Sequence, residues 1–290
     1  MIYLNGHFMP IDKACVSVLD RGFIFGDGVY EVIPVYSRKP FRLTEHLQRL
    51  QHSLDGIRLK NPHTNHEWRQ LLTQIIEKNE GEDQSVYLHI TRGVAKRDHA
   101  FPDVPPTVFI MSNPLMPPAP ELLENGVTAI TASDNRWVRC DIKSISLLPN
   151  VLLRQLAVDE KAAETILIRD GYLTEGSASN IFVVKNQVLL APPKSHLMLP
   201  GITYDVTLEL AASHDIIHAV REVTEDELFT AEEIMLTSST REIMAITHLN
   251  GKMVGTGKPG PKFRQLHQLY QQYKATHMRG SASDLSNPAN

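Results

Sequence analysis

The sequence predicts an α/β protein of two domains, and three observations carry that expectation. Strand-like and helix-like stretches alternate in both halves of the chain, some with apolar residues at helical spacing and some with strict alternation. The 290 residues suffice for two buried cores. Between Asn113 and Pro120, four prolines (Pro114, Pro117, Pro118, Pro120) resist both helix and sheet interior and mark the join. We therefore expect an N-terminal α/β domain over 1–113, a proline-rich linker over 114–124, a C-terminal domain over 125–275 and a disordered tail over 276–290. The tail sequence Gly-Ser-Ala-Ser-Asp-Leu-Ser-Asn-Pro-Ala-Asn has no periodicity.

In chain order, Tyr3 to Met9 reads as a short hairpin about Asn5-Gly6. Asp20 to Glu31 sets three glycines among aromatics, where backbone approaches closely or takes positive φ, and leads into a strand ending at Tyr36. The spacing Gly22, Gly26, Gly28 is not a dinucleotide fingerprint, since no strand precedes it and no helix is expected after it. Leu43 to Leu54 has helical spacing with Thr44 as N-cap, and Trp68 to Lys78 is a second amphipathic helix closed by Asn79 and Gly81. Ser85 to Gly93 and Thr107 to Ser112 are strands. Beyond the prolines come a strand at Gly126 to Thr131, a helix at Pro149 to Ala163 and a hairpin about Asp170-Gly171. Further strands follow over Phe182 to Leu190, and a helix opens near Thr203. An acidic helical turn at Glu225, a strand at Ile234 to Leu236, a turn at Asn250-Gly251 and a helix over Lys262 to Tyr273 complete the series.

Composition excludes several classes. With 29 Lys+Arg against 33 Asp+Glu and a net charge of -4, nothing draws the chain to nucleic acid or an anionic membrane. Cys15 and Cys140 form no metal-like or disulfide pattern, which fits a reducing cytoplasm. No basic-then-apolar leader and no apolar run of roughly 18 residues is present, so a soluble cytoplasmic protein is expected.

Several residues carry chemistry on their own terms. Lys143, inside Arg136-Trp137-Val138-Arg139-Cys140-Asp141-Ile142-Lys143-Ser144, is flanked by apolar residues; desolvation there favours a free amine for Schiff-base chemistry. Taken alone it reads first as a lysine snorkelling from a strand end beside a core, and only the residues that accompany it turn the reading to chemistry. Tyr30 is either a half-buried strand tyrosine or a hydroxyl in a site, and Arg49 either a solvated helix residue or a phosphate ligand. Arg97 and His99, two apart in the basic loop 94–102, can point the same way as a fork for a carboxylate beside a titratable donor. Glu175 leads into the small-residue segment Gly176-Ser177-Ala178-Ser179-Asn180, which leaves room for a flat ligand. Leu199-Pro200-Gly201-Ile202-Thr203 opens a helix whose free N–H groups suit an anion, and Thr237-Ser238-Ser239-Thr240 is either a polar turn or a second set of phosphate donors.

Six blocks in order then resemble the fold-type IV (class IV) pyridoxal phosphate-dependent aminotransferases, most closely the D-amino acid aminotransferases. They are Asp20-Arg21-Gly22 with Phe25-Gly26-Asp27-Gly28-Val29-Tyr30-Glu31; Glu45-His46 with Arg49-Leu50; Arg136-Trp137 with Asp141-Ile142-Lys143-Ser144; Thr174-Glu175-Gly176-Ser177 with Ser179-Asn180; Leu199 to Thr203; and Thr237-Ser238. The likeness runs from about Tyr3 to Lys274. It implies two α/β domains, the second a pseudo-barrel, with the cofactor in the cleft between them, and a homodimer whose partner loop closes the site. It implies that Lys143 carries the cofactor and moves the proton, and that Glu175 faces the pyridinium nitrogen. Arg49, the N–H groups of Ile202 and Thr203, and hydroxyls among Ser238, Ser239 and Thr240 are implied to hold the phosphate. Leu199 is implied to pack on the ring, with Tyr30, Arg97 and His99 trapping the substrate carboxylate. Tyr204 stands where many relatives carry arginine. Aminodeoxychorismate lyases and R-selective amine transaminases share the cofactor residues, and branched-chain L-aminotransferases differ in the loop of Arg97 and His99. The expected reaction moves an amino group between a D-amino acid, such as D-alanine or a D-glutamate-like donor, and a 2-oxo acid.

Overall fold

The computed structural model describes residues 1–279, and the expected tail from 280 onward lies outside the described residues. Its first part builds one antiparallel sheet from β1 (Ile2–Leu4), β2 (His7–Met9), β3 (Gly28–Tyr36), β4 (Lys39–Pro40), β5 (Gln84–Thr91) and β6 (Thr107–Pro114). The strand order is β2-β1-β6-β5-β3-β4, with the Asn5-Gly6 turn at positive φ as the hairpin requires. Among these strands run the helices α1 (Arg21–Phe25), α2 (Leu43–Gly56) and α3 (Asn65–Glu77). Leu47, Leu50 and Leu54 of α2 and Trp68, Leu72, Ile75 and Ile76 of α3 recur at helical spacing and bury together against Ile33, Val86, Leu88 and Ile110 of the sheet.

The second part holds α4 (Pro120–Asn125), β7 (Val127–Ser133), α5 (Leu148–Asp159), β8 (Glu164–Arg169), β9 (Tyr172–Gly176), β10 (Asn180–Lys185) and β11 (Val188–Ala191). It continues with α6 (Ile202–Ser213), β12 (His218–Val220), α7 (Glu225–Phe229), β13 (Glu233–Ser238), β14 (Glu242–Leu249), β15 (Lys252–Met253) and α8 (Pro261–Met278). Nine strands form a mixed sheet in the order β12-β11-β10-β13-β14-β7-β8-β9, with β15 on β14. The sheet curls until the β9–β10 connection closes on itself, Gly176 N donating to Ser179 O at 2.6 Å. Its central strands are apolar without alternation because both faces are covered. Ile181, Val183, Ile234 and Leu236 point to one core, and Phe182, Val184 and Met235 to the other, under α6 and α8.

Several expectations need correcting. The glycine-rich stretch contains a helix after all: Asp20 caps α1, and Gly26 ends it at φ 66, a conformation glycine adopts without strain. Arg42 in the left-handed region, not Thr44, precedes α2, while the hydroxyl of Thr44 accepts from Arg69. The proline segment is not structureless: Pro114 ends β6, and Pro120 takes the first turn of α4, where its missing N–H costs nothing. The helix before β8 ends at Asp159, short of Ala163. The last helix runs from Pro261 to Met278, past the expected end at Tyr273 and into the first residues of the expected disordered tail, because Leu266, Tyr270 and Met278 bury against the second core. Among the described residues no helix is long and apolar enough to cross a membrane.

Candidate active site

A cavity of about 670 Å³ opens between the two sheets, lined from the N-terminal side by Tyr30, Val32 and Arg49 and from the other side by Lys143, Glu175, the start of α6 and the end of β13. Of the twelve residues singled out from sequence, Tyr30, Arg49, Lys143, Glu175, Leu199, Ile202, Thr203, Ser238, Ser239 and Thr240 all line it.

Lys143 does not end a strand. It sits in an irregular stretch strapped to the N-terminal sheet and to α2: Tyr30 N donates to Lys143 O at 3.0 Å, Lys143 N donates to Ser53 Oγ of α2 at 3.1 Å, and Ser144 bridges Val29. The side chain is half-buried, with Nζ 4.1 Å from the centre of the Tyr30 ring. Among the described residues no carboxylate pairs with it, so the amine stands free on the cavity wall.

At one end of the cavity Glu175 is buried. Leu199 N donates to its Oε2 at 3.1 Å, Asn180 Nδ2 at 3.2 Å, and Arg136 donates to its Oε1. Arg136 is itself locked by Asp134 through Nε and one terminal nitrogen, both at 2.9 Å. Burial pushes the Glu175 carboxyl up to about 7, against the pull of Arg136. A cationic N–H in front of it would therefore meet a carboxylate that gains by ionising.

At the other end lies an anion-ready surface. The first N–H groups of α6 have no helical partner, since Asp205 N makes the first return bond, to Gly201 O. A Cβ on Gly201 would come within 2.0 Å of Asn180 Oδ1, so only glycine lets the backbone pass there. Thr203 Oγ1 and Thr237 Oγ1 are buried beside it without a hydrogen-bond partner. Arg49 is buried and held by Glu31, its Nε and a terminal nitrogen each at 2.8 Å, with another nitrogen 3.0 Å from Pro200 O. Burial raises the Glu31 carboxyl, but Arg49 and His46 together hold it well below the usual range.

Two expected residues fall elsewhere. Arg97 and His99 are exposed and line no part of this cavity. The Arg97 guanidinium lies 5.3 Å from the Phe25 ring and the His99 ring 5.4 Å from it, because Arg21 ties the loop to α1 through the carbonyls of Asp98 and Ala100. His99 instead lines a smaller cavity of about 390 Å³ with Arg58, Arg92, Phe101 and Trp137.

Sequence reasoning gave no role to Glu31, His46, Asp134, Asn180 or Glu164, and quoted Arg136 only as part of a block. The trace they leave is a charged residue in an apolar run, as with Glu31 in Val29–Val35, where burial demands a partner. Tyr204, in place of the common arginine, packs on Phe182 at 5.0 Å between ring centres and donates to Pro192 O at 2.7 Å, turned away from the cavity.

Residues 28–249 match the family described as Amino-transferase class IV. The chain is 40% identical over 271 residues to a D-alanine aminotransferase of Bacillus licheniformis, covering 93% of this chain and 95% of that protein. It is 38% identical to a D-alanine aminotransferase of Staphylococcus aureus (strain COL), covering 95% of this chain and 98% of that one. Among solved structures it is similar to the branched-chain amino acid aminotransferase of Escherichia coli, with a TM-score of 0.87, 27% identity and 93% of each chain covered. A second branched-chain amino acid aminotransferase, solved with pyridoxamine 5'-phosphate, gives a TM-score of 0.87 at 26% identity over 93% of this chain and 92% of that one.

Proposed function

The chain belongs to the class IV aminotransferases, and from that premise we propose that it is a pyridoxal phosphate-dependent transaminase exchanging the amino group of a D-amino acid with a 2-oxo acid. The observation that carries this reading is the free Lys143 amine, placed in one cavity between a buried carboxylate and an anion-ready helix start. That donor set fits the cofactor without adjustment: unpartnered hydroxyls and first-turn N–H groups for a phosphate, and a carboxylate for a ring nitrogen.

When bound, pyridoxal phosphate supplies a carbonyl that condenses with amines and a ring that accepts the electrons left on the substrate Cα. Everything else is done by the chain. Arg49, the N–H groups of Ile202 and Thr203, and the hydroxyls of Ser238, Ser239 and Thr240 hold the phosphate, while Leu199 packs on the ring face. Glu175 keeps the proton on the ring nitrogen, and Arg136, clamped by Asp134, keeps Glu175 aimed there. Lys143 Nζ takes the proton from the substrate Cα and later returns one, its path limited by the Tyr30 ring beside it. Arg97 and His99, which stand outside their own cavity, receive the α-carboxylate of a substrate bound in the partner subunit of a homodimer. Fixing that carboxylate decides which face of Cα meets the lysine, hence D or L. The N-terminal unit 1–113, the connection 114–124 and the cofactor-binding unit 125–275 divide the work in this reading, and the enzyme acts in the cytoplasm.

A branched-chain L-amino acid transaminase is the second reading, favoured by the likeness to the Escherichia coli structure. An absorbance titration of the holoenzyme separates the two. D-alanine should bleach the visible cofactor band and L-leucine should leave it, whereas bleaching by L-leucine alone would overturn the D assignment. Lys143→Ala should slow the D-alanine half-reaction by about 10⁴-fold, the upper range for a lost general base; a loss below about ten-fold would remove Lys143 from that role.

A further inference from the structure

Five Lys and Arg side chains line the main cavity: Arg49, Arg136, Lys143, Arg154 and Arg241. Three are matched by carboxylates, Arg49 by Glu31 at 2.8 Å, Arg136 by Asp134 at 2.9 Å, and Arg241 by Glu164. Lys143 and Arg154 pair with none among the described residues, and Lys143 already serves the chemistry.

Arg154 is half-buried, and its one hydrogen bond runs from a terminal nitrogen to Ala162 O at 3.3 Å, leaving most of its donors unsatisfied by protein. It belongs to a stripe of α5 at helical spacing, with Asn150 and Val151, that walls the cavity. The residues just after Lys143 begin that wall. Arg154 stands one turn past Asn150, roughly 6 Å along the helix at 1.5 Å per residue. With the α-carboxylate assigned to Arg97 and His99, the carboxylate left for a half-buried guanidinium on this wall that pairs with none of its own is one at the far end of a substrate side chain. Arg241 is close by, since its own guanidinium donates to Ala163 O, the carbonyl next to that used by Arg154. Because Arg241 is engaged by Glu164, the free positive charge in this corner is that of Arg154.

We propose that Arg154 is a specificity-determining residue that receives the distal carboxylate of dicarboxylic substrates, so that amino and oxo diacids of four or five carbons are favoured over monocarboxylic ones. The inference rests on the transaminase reading above. Guanidinium and carboxylate match as planar, bidentate partners, and partial desolvation strengthens the pair.

The test compares wild-type, Arg154→Gln and Arg154→Lys holoenzymes in two ways. In half-reactions, Arg154→Gln should raise the half-saturating D-glutamate concentration about ten-fold or more, the cost of losing a charged hydrogen bond. The D-alanine value should stay within about two-fold and the limiting rates should not change. Arg154→Lys should restore part of the D-glutamate loss. In calorimetry, glutarate should bind the wild type and lose the same factor in Arg154→Gln, with butyrate indifferent. Equal weakening for D-alanine and D-glutamate would overturn the proposal. So would loss of cofactor from Arg154→Gln, which would assign the guanidinium to the phosphate, or glutarate affinity that ignores the substitution. Glutarate is achiral and is not turned over, so its result stands even if the D-amino acid reading fails.

Discussion

Glu175 is held where burial and its neighbours oppose one another. Burial raises its carboxyl to about 7 while Arg136 pulls it down, so the group is poised to respond to a cation in front of it. Glu175→Gln keeps the shape and removes that response; the catalytic rate should fall about 10² to 10³-fold, the usual loss for one preorganised electrostatic partner. The same shift fixes a pH dependence in the cofactor-free protein. The folded value lies above the unfolded value of 4.5, so the acid form's contribution is complete below pH 4.5 and is lost as pH rises through about 7. That loss is roughly 3 kcal/mol at 1.36 kcal/mol per pH unit. Urea unfolding at pH 5 and pH 8 should show this slope in the wild type and its flattening in Glu175→Gln; equal slopes in both would mean that another group carries it. Lys143 and Glu175 were legible in the sequence because amine and acid sit in blocks with a recognisable order. Asp134 and Arg136 were not, because two charges in a polar stretch read as solvent-facing until folding buries them against Glu175 and Leu197.

At the scale of the element, α6 shows how a short motif makes a binding surface. Pro200-Gly201 announced the helix start correctly, yet no side chain caps it, and its first N–H groups are left for a ligand. Gly201→Ala would set a methyl 2.0 Å from Asn180 Oδ1, and moving Asn180 would break its bonds to Leu199 O at 2.9 Å and to Glu175. Overpacking of this kind costs about 1 to 3 kcal/mol. We expect a lower melting temperature and, by equilibrium dialysis, a cofactor affinity weakened about ten-fold or more by the same range of energies. Unchanged cofactor binding would show that the α6 start does not carry the phosphate. Strands and long helices were readable because their periodicity is imposed by two buried faces or one. The elements that escaped, α1 among its glycines and α4 among its prolines, are single turns or little more, set by caps and tertiary contacts rather than by a repeated pattern.

The two halves of the molecule divide the proposed catalytic groups between them. Lys143 is strapped to the N-terminal half by Tyr30 of β3 and Ser53 of α2, whereas Glu175 lies on β9 of the curled C-terminal sheet and α6 covers that sheet. The spacing of amine and carboxylate therefore depends on how firmly the halves are joined. One join is a clasp about Glu242: this residue of β14 accepts from Tyr36 of β3 at 3.0 Å and from Gln271 and Lys274 of α8, both at 2.6 Å, while Phe41 packs on Tyr270. None of this was legible from the sequence, since Tyr36 and Glu242 are 206 residues apart. Glu242→Gln keeps the size but leaves Lys274, about nine-tenths covered, without its counter-charge. Removing one partner of a covered ion pair costs about 3 kcal/mol. If the clasp sets the geometry, calorimetry of Glu242→Gln will show the unfolding of the two halves separating into resolved transitions. Cofactor retention will weaken with it, although residue 242 touches no part of the cavity. A single transition merely shifted downward, with cofactor binding intact, would reduce the clasp to ordinary core stability and place the control of the Lys143–Glu175 spacing in the strap and in the Arg49 bond to Pro200.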